Sequence, residues 1–175
     1  WYKNEAGNLC RAPAFVQMWQ APDGTPVNIH KIFLSVKTDG KAEMEKCKLM
    51  MKPTGRMTGG AIRIGEPAFG TLSVATGVET ALSVTEATSQ VCWSVLSDSL
   101  LRGFIPPQDV NHLTIWADND TPDAQGRNSG VLAAEALARK LNQERPEIEV
   151  VVKIPPIQGK DWNDMLNLDR KAFYG

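Results

Sequence analysis

Hydrophobic and polar positions change their rhythm near residue 70. Before it, "FVQMW" and "VNIHKIFLSV" collect β-branched and aromatic residues in short runs, separated by "APDGTP". Pro, Asp and Gly in that spacer suit a tight reversal, so the pattern predicts a β-hairpin. "TDGKAEMEKCKLMMKPTGRMTGG" is polar and basic, then turn-rich, and reads as a loop with a short helical piece. "GGAIRIG" predicts one more short strand.

After Gly70 the pattern alternates. "TLSVA" predicts a buried strand followed by a helix over Val78–Ser89; "VCWSVL" predicts a second strand, "SDSLLRGF" a short helix or loop, and "HLTIWA" a third strand. Between Asn128 and Glu144, Ala134, Leu137, Ala138 and Leu141 share one helical face, Asn128 or Ser129 supplies the cap, and Pro146 ends the helix. "IEVVVKIP" predicts a fourth strand and "DWNDMLNL" opens a terminal helix. Strand and helix in alternation imply an α/β fold, a mostly parallel sheet flanked by helices. In such sheets the strand C-terminal ends lie along one edge, and sites form there. The chain is therefore expected to divide into a β-rich lead-in over residues 1–70 and an α/β domain over 71–175.

A length of 175 residues is enough for one domain with a small annex and a real core. A net charge of −1 gives no global argument for nucleic acid or a membrane surface. Its distribution changes that picture. From His30 to Arg63 there are eight Lys or Arg against Asp39, Glu43 and Glu45, whereas from Ile64 onward nine basic residues face fifteen acidic ones. A basic front segment thus precedes an acidic back segment, a polarity suited to a phosphate-bearing ligand. Cys10, Cys47 and Cys92 form no CxxC pair, so neither a disulfide framework nor a zinc site is indicated, and a reducing, cytoplasmic setting is expected. No signal-peptide pattern or membrane-length apolar run occurs. A start at Trp1 rather than Met is what a fragment of a longer protein would show.

The candidate chemistry lies at the strand ends. "LTIWADNDTPDAQG" closes a buried-looking strand on Asp118 and Asp120, with Asp123 just beyond. Like charges that close cost stability unless they face solvent or share a cation. Side-chain alternation allows Asp118 and Asp120 to point the same way. If the first and third strands are neighbours, Glu79 at the start of the first helix projects toward both. Three carboxylates from two strand ends make a hard-oxygen set suited to Mg²⁺. Asp-Asn-Asp after a strand is also ordinary turn chemistry, and a Glu in a first helical turn also complements the helix dipole. "QGKDWNDML" exits the fourth strand at the same edge, where Lys160 can reach a phosphate and Asp161 can either support the acidic cluster or cap the last helix.

These motifs, in this order, resemble a Toprim domain, the catalytic fold shared by bacterial-type primases, type IA and II topoisomerases and some nucleases. "GVETALS" is similar to the first motif of that family, with Glu79 in the place of its glutamate; "IWADND" resembles its DxD motif, giving Asp118 and Asp120. "GKDWNDML" is similar to the signature that closes the domain in primases and primase-helicases of phages and plasmids. The resemblance spans about Thr71 to Leu166 and implies a Rossmann-like Toprim sheet preceded by a small basic subdomain. It implies a DNA primase carried by a plasmid, phage or integrated element, making RNA primers on single-stranded DNA from ribonucleoside triphosphates with Mg²⁺ or Mn²⁺. Glu79, Asp118 and Asp120 would be catalytic, and with Asp161 would hold the metal. Lys31, Lys52, Arg56, Arg63 and Lys160 are the candidates for phosphate, whereas Lys41, Lys46 and Lys48, set among glutamates, read as a solvated loop.

The chain departs from that pattern at Ser83, where bacterial primases usually carry an aspartate. It has no zinc-binding module and no GxxxxGK[ST] motif, so template recognition and any helicase or other replication module would reside elsewhere in a longer protein. A Toprim nuclease, and a non-catalytic Toprim module binding nucleic acid or a protein partner, are the alternatives. His30 and His112 read as a structural and a surface residue, Trp93 and Trp116 as core, and Trp162 as either a base-stacking ring or a packing one.

Overall fold

The computed structural model describes residues 2–3, 9–38, 40–42, 44 and 46–168, with backbone alone for 2–3 and 9–10. Trp1, the side chain of Cys10, the acidic residues Asp39, Glu43 and Glu45, and residues 169–175 of the expected second unit lie outside that description. A two-stranded piece comes first, β1 (Tyr2–Lys3) antiparallel to β2 (Leu9–Cys10). The expected hairpin follows: β3 (Ala14–Gln20) pairs antiparallel with β4 (Pro26–Phe33), placing Met18 opposite Ile29. Its turn is closed by Gly24 N donating to Ala21 O at 2.9 Å and by Thr25 N donating to Asp23 Oδ1 at 2.9 Å.

The polar segment after the hairpin differs from expectation. Among its described residues there is no helix; instead β5 (Lys48–Met50) lies antiparallel along β4. The physical reason is the open edge of β4, whose backbone groups need partners, together with Pro53, which cannot continue a helix. Met51 N extends the contact by donating to Ile29 O at 3.0 Å.

β6 (Ala61–Ile62) joins the two halves, pairing antiparallel with β3 on one side and with β8 (Cys92–Ser94) on the other. The crossing is close: a Cβ on Gly60 would sit 2.2 Å from Gln20 O, so only glycine fits. Then come β7 (Thr71–Ala75), α1 (Val78–Thr88), β8 (Cys92–Ser94), α2 (Asp98–Arg102), β9 (His112–Trp116), α3 (Ser129–Glu144), β10 (Glu149–Lys153) and α4 (Trp162–Leu168). The sheet order is β10-β9-β7-β8-β6-β3-β4-β5. The four α/β strands are parallel to one another, and from β6 outward every pairing is antiparallel. The lead-in strands β3 to β6 therefore continue the same eight-stranded sheet, whereas β1 and β2 form a separate pair.

One apolar cluster runs under this sheet and includes Trp19, Leu72, Val74, Trp93, Leu113, Ile115 and Leu137. α3 contributes Ala133, Ala134, Leu137 and Leu141, close to the predicted face, with Ala138 at its margin. A second cluster joins α1 and α4 through Ala81, Val84, Trp116, Trp162 and Met165. Here Trp162 meets Trp116 edge-on, with ring centroids 4.8 Å apart. That contact, with Trp162 only 5% exposed, makes it a packing ring. No described helix is long and apolar enough to cross a membrane.

Candidate active site

Parallel pairing sets the site. β7 and β9 are neighbours, with Ala75 opposite Trp116, so the residues just beyond both strands meet at the C-terminal edge. On β7 these are Thr76 and Gly77, which lead into α1 with Glu79 in its first turn. On β9 they are Ala117 and Asp118. Thr76 Oγ1 donates to Asp118 Oδ2 at 2.6 Å. Thr76 is itself held, because the buried Ser94 Oγ at the end of β8 donates to Thr76 O at 2.8 Å. α3 approaches Asp118 from behind: a Cβ on Gly130 would stand 2.7 Å from Asp118 O, so that helix start requires glycine.

Asn119 ties the loop after β9 to the loop after β10. Its N–H donates to Lys160 O at 3.1 Å, its carbonyl accepts from Gly159 N, and its side chain donates to Pro155 O at 2.8 Å. Asn128 caps α3 and also donates to Asn119 Oδ1 and Asp120 O. The middle residue of Asp-Asn-Asp is therefore an architectural clasp. Asp123 accepts from Gln125 N and Arg127 N and pairs with Arg127 Nη2 at 2.9 Å, which is turn chemistry.

A cavity of about 410 Å³ opens at this edge, and its lining includes Glu79, Asp98, Asp118 and Asp161 together with Lys41 and Lys48. Asp161 N-caps α4 by accepting from Asp164 N at 2.7 Å, so its capping and cavity positions coincide. Ser83 Oγ donates to Asn163 Oδ1 at 2.9 Å, linking α1 to α4 at the cavity rim. Asp120 stands outside the lining and is exposed. Lys160 is near the edge but pairs with Asp164 at 3.6 Å.

Two carboxylates at this edge have opposite electrostatics. Glu79 is partly buried, which pushes its pKa up, but Lys41 and Lys48 outweigh burial and bring it down to about 2. Lys41 Nζ is 2.8 Å and Lys48 Nζ 2.9 Å from Oε1, both as ion pairs outside hydrogen-bond directions, and Lys48 donates to Oε2 at 3.0 Å. The same contact raises the Lys41 pKa. Asp118 has no such cation. Burial dominates, Asp161, Asp120 and Asp98 add repulsion, and the Thr76 hydrogen bond offsets only part, so its pKa rises to about 6. Its Oδ1 is buried and has no hydrogen-bond partner.

Among the described residues no three His, Cys, Asp or Glu side chains are brought close enough to share a metal ion. The expected trio of Glu79, Asp118 and Asp120 is therefore not assembled as a ready ligand set: Glu79 is engaged by two lysines and Asp120 lies outside the cavity. The donor chemistry still fits a small hard cation at Asp118. Mg²⁺ keeps several waters and needs only one or two carboxylates, and Asp118 lines an acidic cavity with its Oδ1 buried and without a hydrogen-bond partner.

The basic candidates distribute differently from the sequence reading. Lys31 lies on β4 opposite Val16, Lys52 and Arg56 are exposed on the lead-in, and none of the three lines the cavity. Arg63 donates to Ala21 O and Pro22 O and covers the Trp93 ring at 4.8 Å, a clamp between the two halves of the sheet. The cations lining the cavity are Lys41 and Lys48, where the sequence predicts a solvated loop. Sequence gave no local sign of this, since the contact to Glu79 spans 31 residues for Lys48. Thr76, which directly follows β7, and Asp98, which opens α2, were also missed. His30 is structural as expected: it is buried, its Nδ1 is 2.7 Å from Gln17 Oε1, and burial followed by the charge of Lys48 lowers its pKa.

A family model described as Toprim domain matches residues 71–171, and one described as a domain of unknown function (DUF7146) matches residues 1–64. Comparison with curated proteins finds no match. Among solved structures, the DnaG primase catalytic domain bound to ssDNA is similar with a TM-score of 0.59 at 13% identity, over 99% of this chain and 55% of that one. The primase fragment of the bacteriophage T7 primase-helicase protein has a TM-score of 0.58 at 14% identity, over 96% and 64%. A DNA primase domain from Pseudomonas aeruginosa has a TM-score of 0.55 at 12% identity, over 97% and 52%. The chain thus spans between 52% and 64% of the length of these primase fragments, and the likeness is one of fold. With the Toprim match covering more than half of its 175 residues, this chain belongs to the Toprim domain family.

Proposed function

We propose that this chain is the catalytic part of a DNA primase, making RNA primers on single-stranded DNA by metal-dependent nucleotidyl transfer. The observation that carries the reading is the Asp118 carboxylate: half-buried, without a hydrogen-bond partner at its buried Oδ1, and lining an acidic cavity that also holds Lys41 and Lys48, on a primase-like fold. In the reaction a ribonucleotide 3′-oxygen bonds to the α-phosphorus of a nucleoside triphosphate, the hydroxyl proton leaves, and pyrophosphate departs. A bound Mg²⁺ or Mn²⁺ would supply charge neutralisation at the phosphate oxygens.

Asp118 is the principal ligand in this reading, with Asp161, Asp98 and Asp120 adding negative potential. Glu79 is kept ionised by Lys41 and Lys48 and exchanges those partners for ligand as phosphates enter. Lys41, Lys48 and Lys160 orient the triphosphate, and such positioning supplies most of the catalysis. Lys31, Lys52 and Arg56 lie on the lead-in and serve the template backbone. In the same proposal the boundary at residues 70 and 71 separates a template-handling unit from a Toprim catalytic unit. A helicase or other replication module would belong to the longer protein, acting in the cytoplasm of a host carrying a plasmid, phage or integrated element.

The test is an assay with single-stranded DNA, ribonucleotides and Mg²⁺. Primer synthesis that disappears in Asp118→Ala supports a primase. Metal-dependent cleavage of the template supports a Toprim nuclease, and template binding without turnover supports a non-catalytic module.

A further inference from the structure

We propose that Thr76 is a cation-selecting residue, which locks Asp118 into one-oxygen ligation and so favours Mg²⁺ or Mn²⁺ over Ca²⁺. The inference rests on the proposed metal-dependent reading and goes beyond it to the identity of the ion.

Thr76 is 5% exposed and sits where β7 leaves the sheet. Its hydroxyl has a single proton, and that proton is committed to Asp118 Oδ2 at 2.6 Å. The hydroxyl cannot swing away easily. Thr76 O is held by Ser94 Oγ at 2.8 Å, and Ala75, one residue earlier, is paired in parallel with both Ser94 and Trp116. The behaviour of a β-branched side chain on a fixed backbone adds to this, because its χ1 is stiff. On the other side the Asp118 main chain is packed against Gly130 with no room to shift. The carboxylate is thereby split into two unlike oxygens: Oδ2 is occupied by the threonine, and Oδ1 is a buried oxygen without a hydrogen-bond partner, on a residue that lines the acidic cavity.

That division matters for ion choice. Ca²⁺ takes 6–8 oxygens in flexible geometry and often uses both oxygens of a carboxylate. Mg²⁺ requires near-octahedral geometry, retains water and uses carboxylates one oxygen at a time. A carboxylate whose second oxygen already accepts a charge-assisted hydrogen bond fits the second ion and penalises the first, since two-oxygen binding requires that bond to break. Nothing in the local sequence predicts this, because the partners are 42 residues apart.

The experiment measures Mn²⁺ affinity by electron paramagnetic resonance on the full chain, with Mg²⁺ and Ca²⁺ as competitors. Thr76→Val keeps the shape and removes the hydroxyl; Thr76→Ser restores it; circular dichroism confirms folding of each. We expect the wild type to prefer Mg²⁺ to Ca²⁺, Thr76→Val to narrow that ratio about tenfold, the size of one charged hydrogen bond, and Thr76→Ser to keep it. An unchanged ratio in Thr76→Val, with Mn²⁺ binding abolished by Asp118→Asn, overturns the selectivity role alone. Undiminished Mn²⁺ binding in Asp118→Asn, or none in the wild type, overturns the reading on which it rests.

Discussion

Lys48, on the edge strand β5, lies 2.9 Å from Oε1 of Glu79 in the first turn of α1, so the basic lead-in reaches directly into the acidic end of the Toprim sheet. Lys41 approaches the same oxygen at 2.8 Å. Because Glu79 has its pKa lowered to about 2 by these lysines, its contribution to stability is fully present above the ordinary glutamate range. It is lost as pH falls from about 4.5 toward 2. Urea denaturation across that window is expected to show a steeper pH slope in the wild type than in Glu79→Gln, the remainder coming from carboxylates such as Asp23, Asp123 and Glu147 whose pKa values are also lowered.

The two lysines are also expected to separate folding from function. Both are about half exposed, so each ion pair is screened, and with the other lysine still facing Glu79 the loss of one costs only modest stability. Lys41→Ala and Lys48→Ala should leave the thermal midpoint within a few degrees of wild type. Each should raise the KM for ribonucleoside triphosphate by about tenfold, the scale of one charge-assisted phosphate contact. Steady-state kinetics with a fixed template measures this.

Asp118 carries the opposite sign. Its pKa is raised from 3.8 to about 6, so the native state holds extra proton between those values and stability falls as pH rises through that window. The full penalty is present above about 6. In the presence of chelator, Asp118→Asn should therefore stabilise the protein by about 1–3 kcal/mol at pH 8 and by almost nothing below pH 3.8. Paired urea titrations at the two pH values check the prediction, and the same variant should have no primer synthesis.

Gly130→Ala is expected to damage the site from behind. Its new Cβ would meet Asp118 O at 2.7 Å and push either α3 or the β9 exit. We expect a stability loss of about 1–3 kcal/mol from overpacking, with a larger proportional loss of activity than Leu137→Val, a core change on the same helix away from Asp118. Denaturation and primer synthesis on both variants make the comparison.

Ser83 and Asn163 form a neutral pair, joined at 2.9 Å, that ties α1 to α4. Ser83→Ala should cost about 0.5–1.5 kcal/mol, the usual net contribution of one hydrogen bond, measured by chemical denaturation. Hydrogen exchange of the α4 amides should quicken in that variant, since α4 loses a tether to α1.

Much of this fold was readable because its parallel strands are short apolar runs separated by strong punctuation. "TLSVA", "HLTIWA" and the face of α3 needed no tertiary information, and "APDGTP" specified its own turn. The strand β5 was not readable: "KLM" has no pattern of its own and becomes a strand only because β4 offers it an edge. The site divided in the same way. Asp118, Glu79 and Asp161 follow strand or helix boundaries visible in the chain, and all three line the cavity. Lys41 and Lys48 could not be chosen over Lys52 or Arg56, because partner choice here is decided by packing across the sheet. Arg63, a phosphate candidate by sequence, donates to two backbone carbonyls and covers the Trp93 ring, contacts that its local sequence does not announce.

The central claim is that Asp118 is the centre of a nucleotidyl-transfer site, and incorporation of labelled ribonucleotide opposite a single-stranded DNA template tests it most directly. The account predicts metal-dependent RNA products from the wild-type chain and none from Asp118→Asn, although that variant is the more stable protein at pH 8. RNA synthesis by Asp118→Asn at the wild-type rate would contradict it.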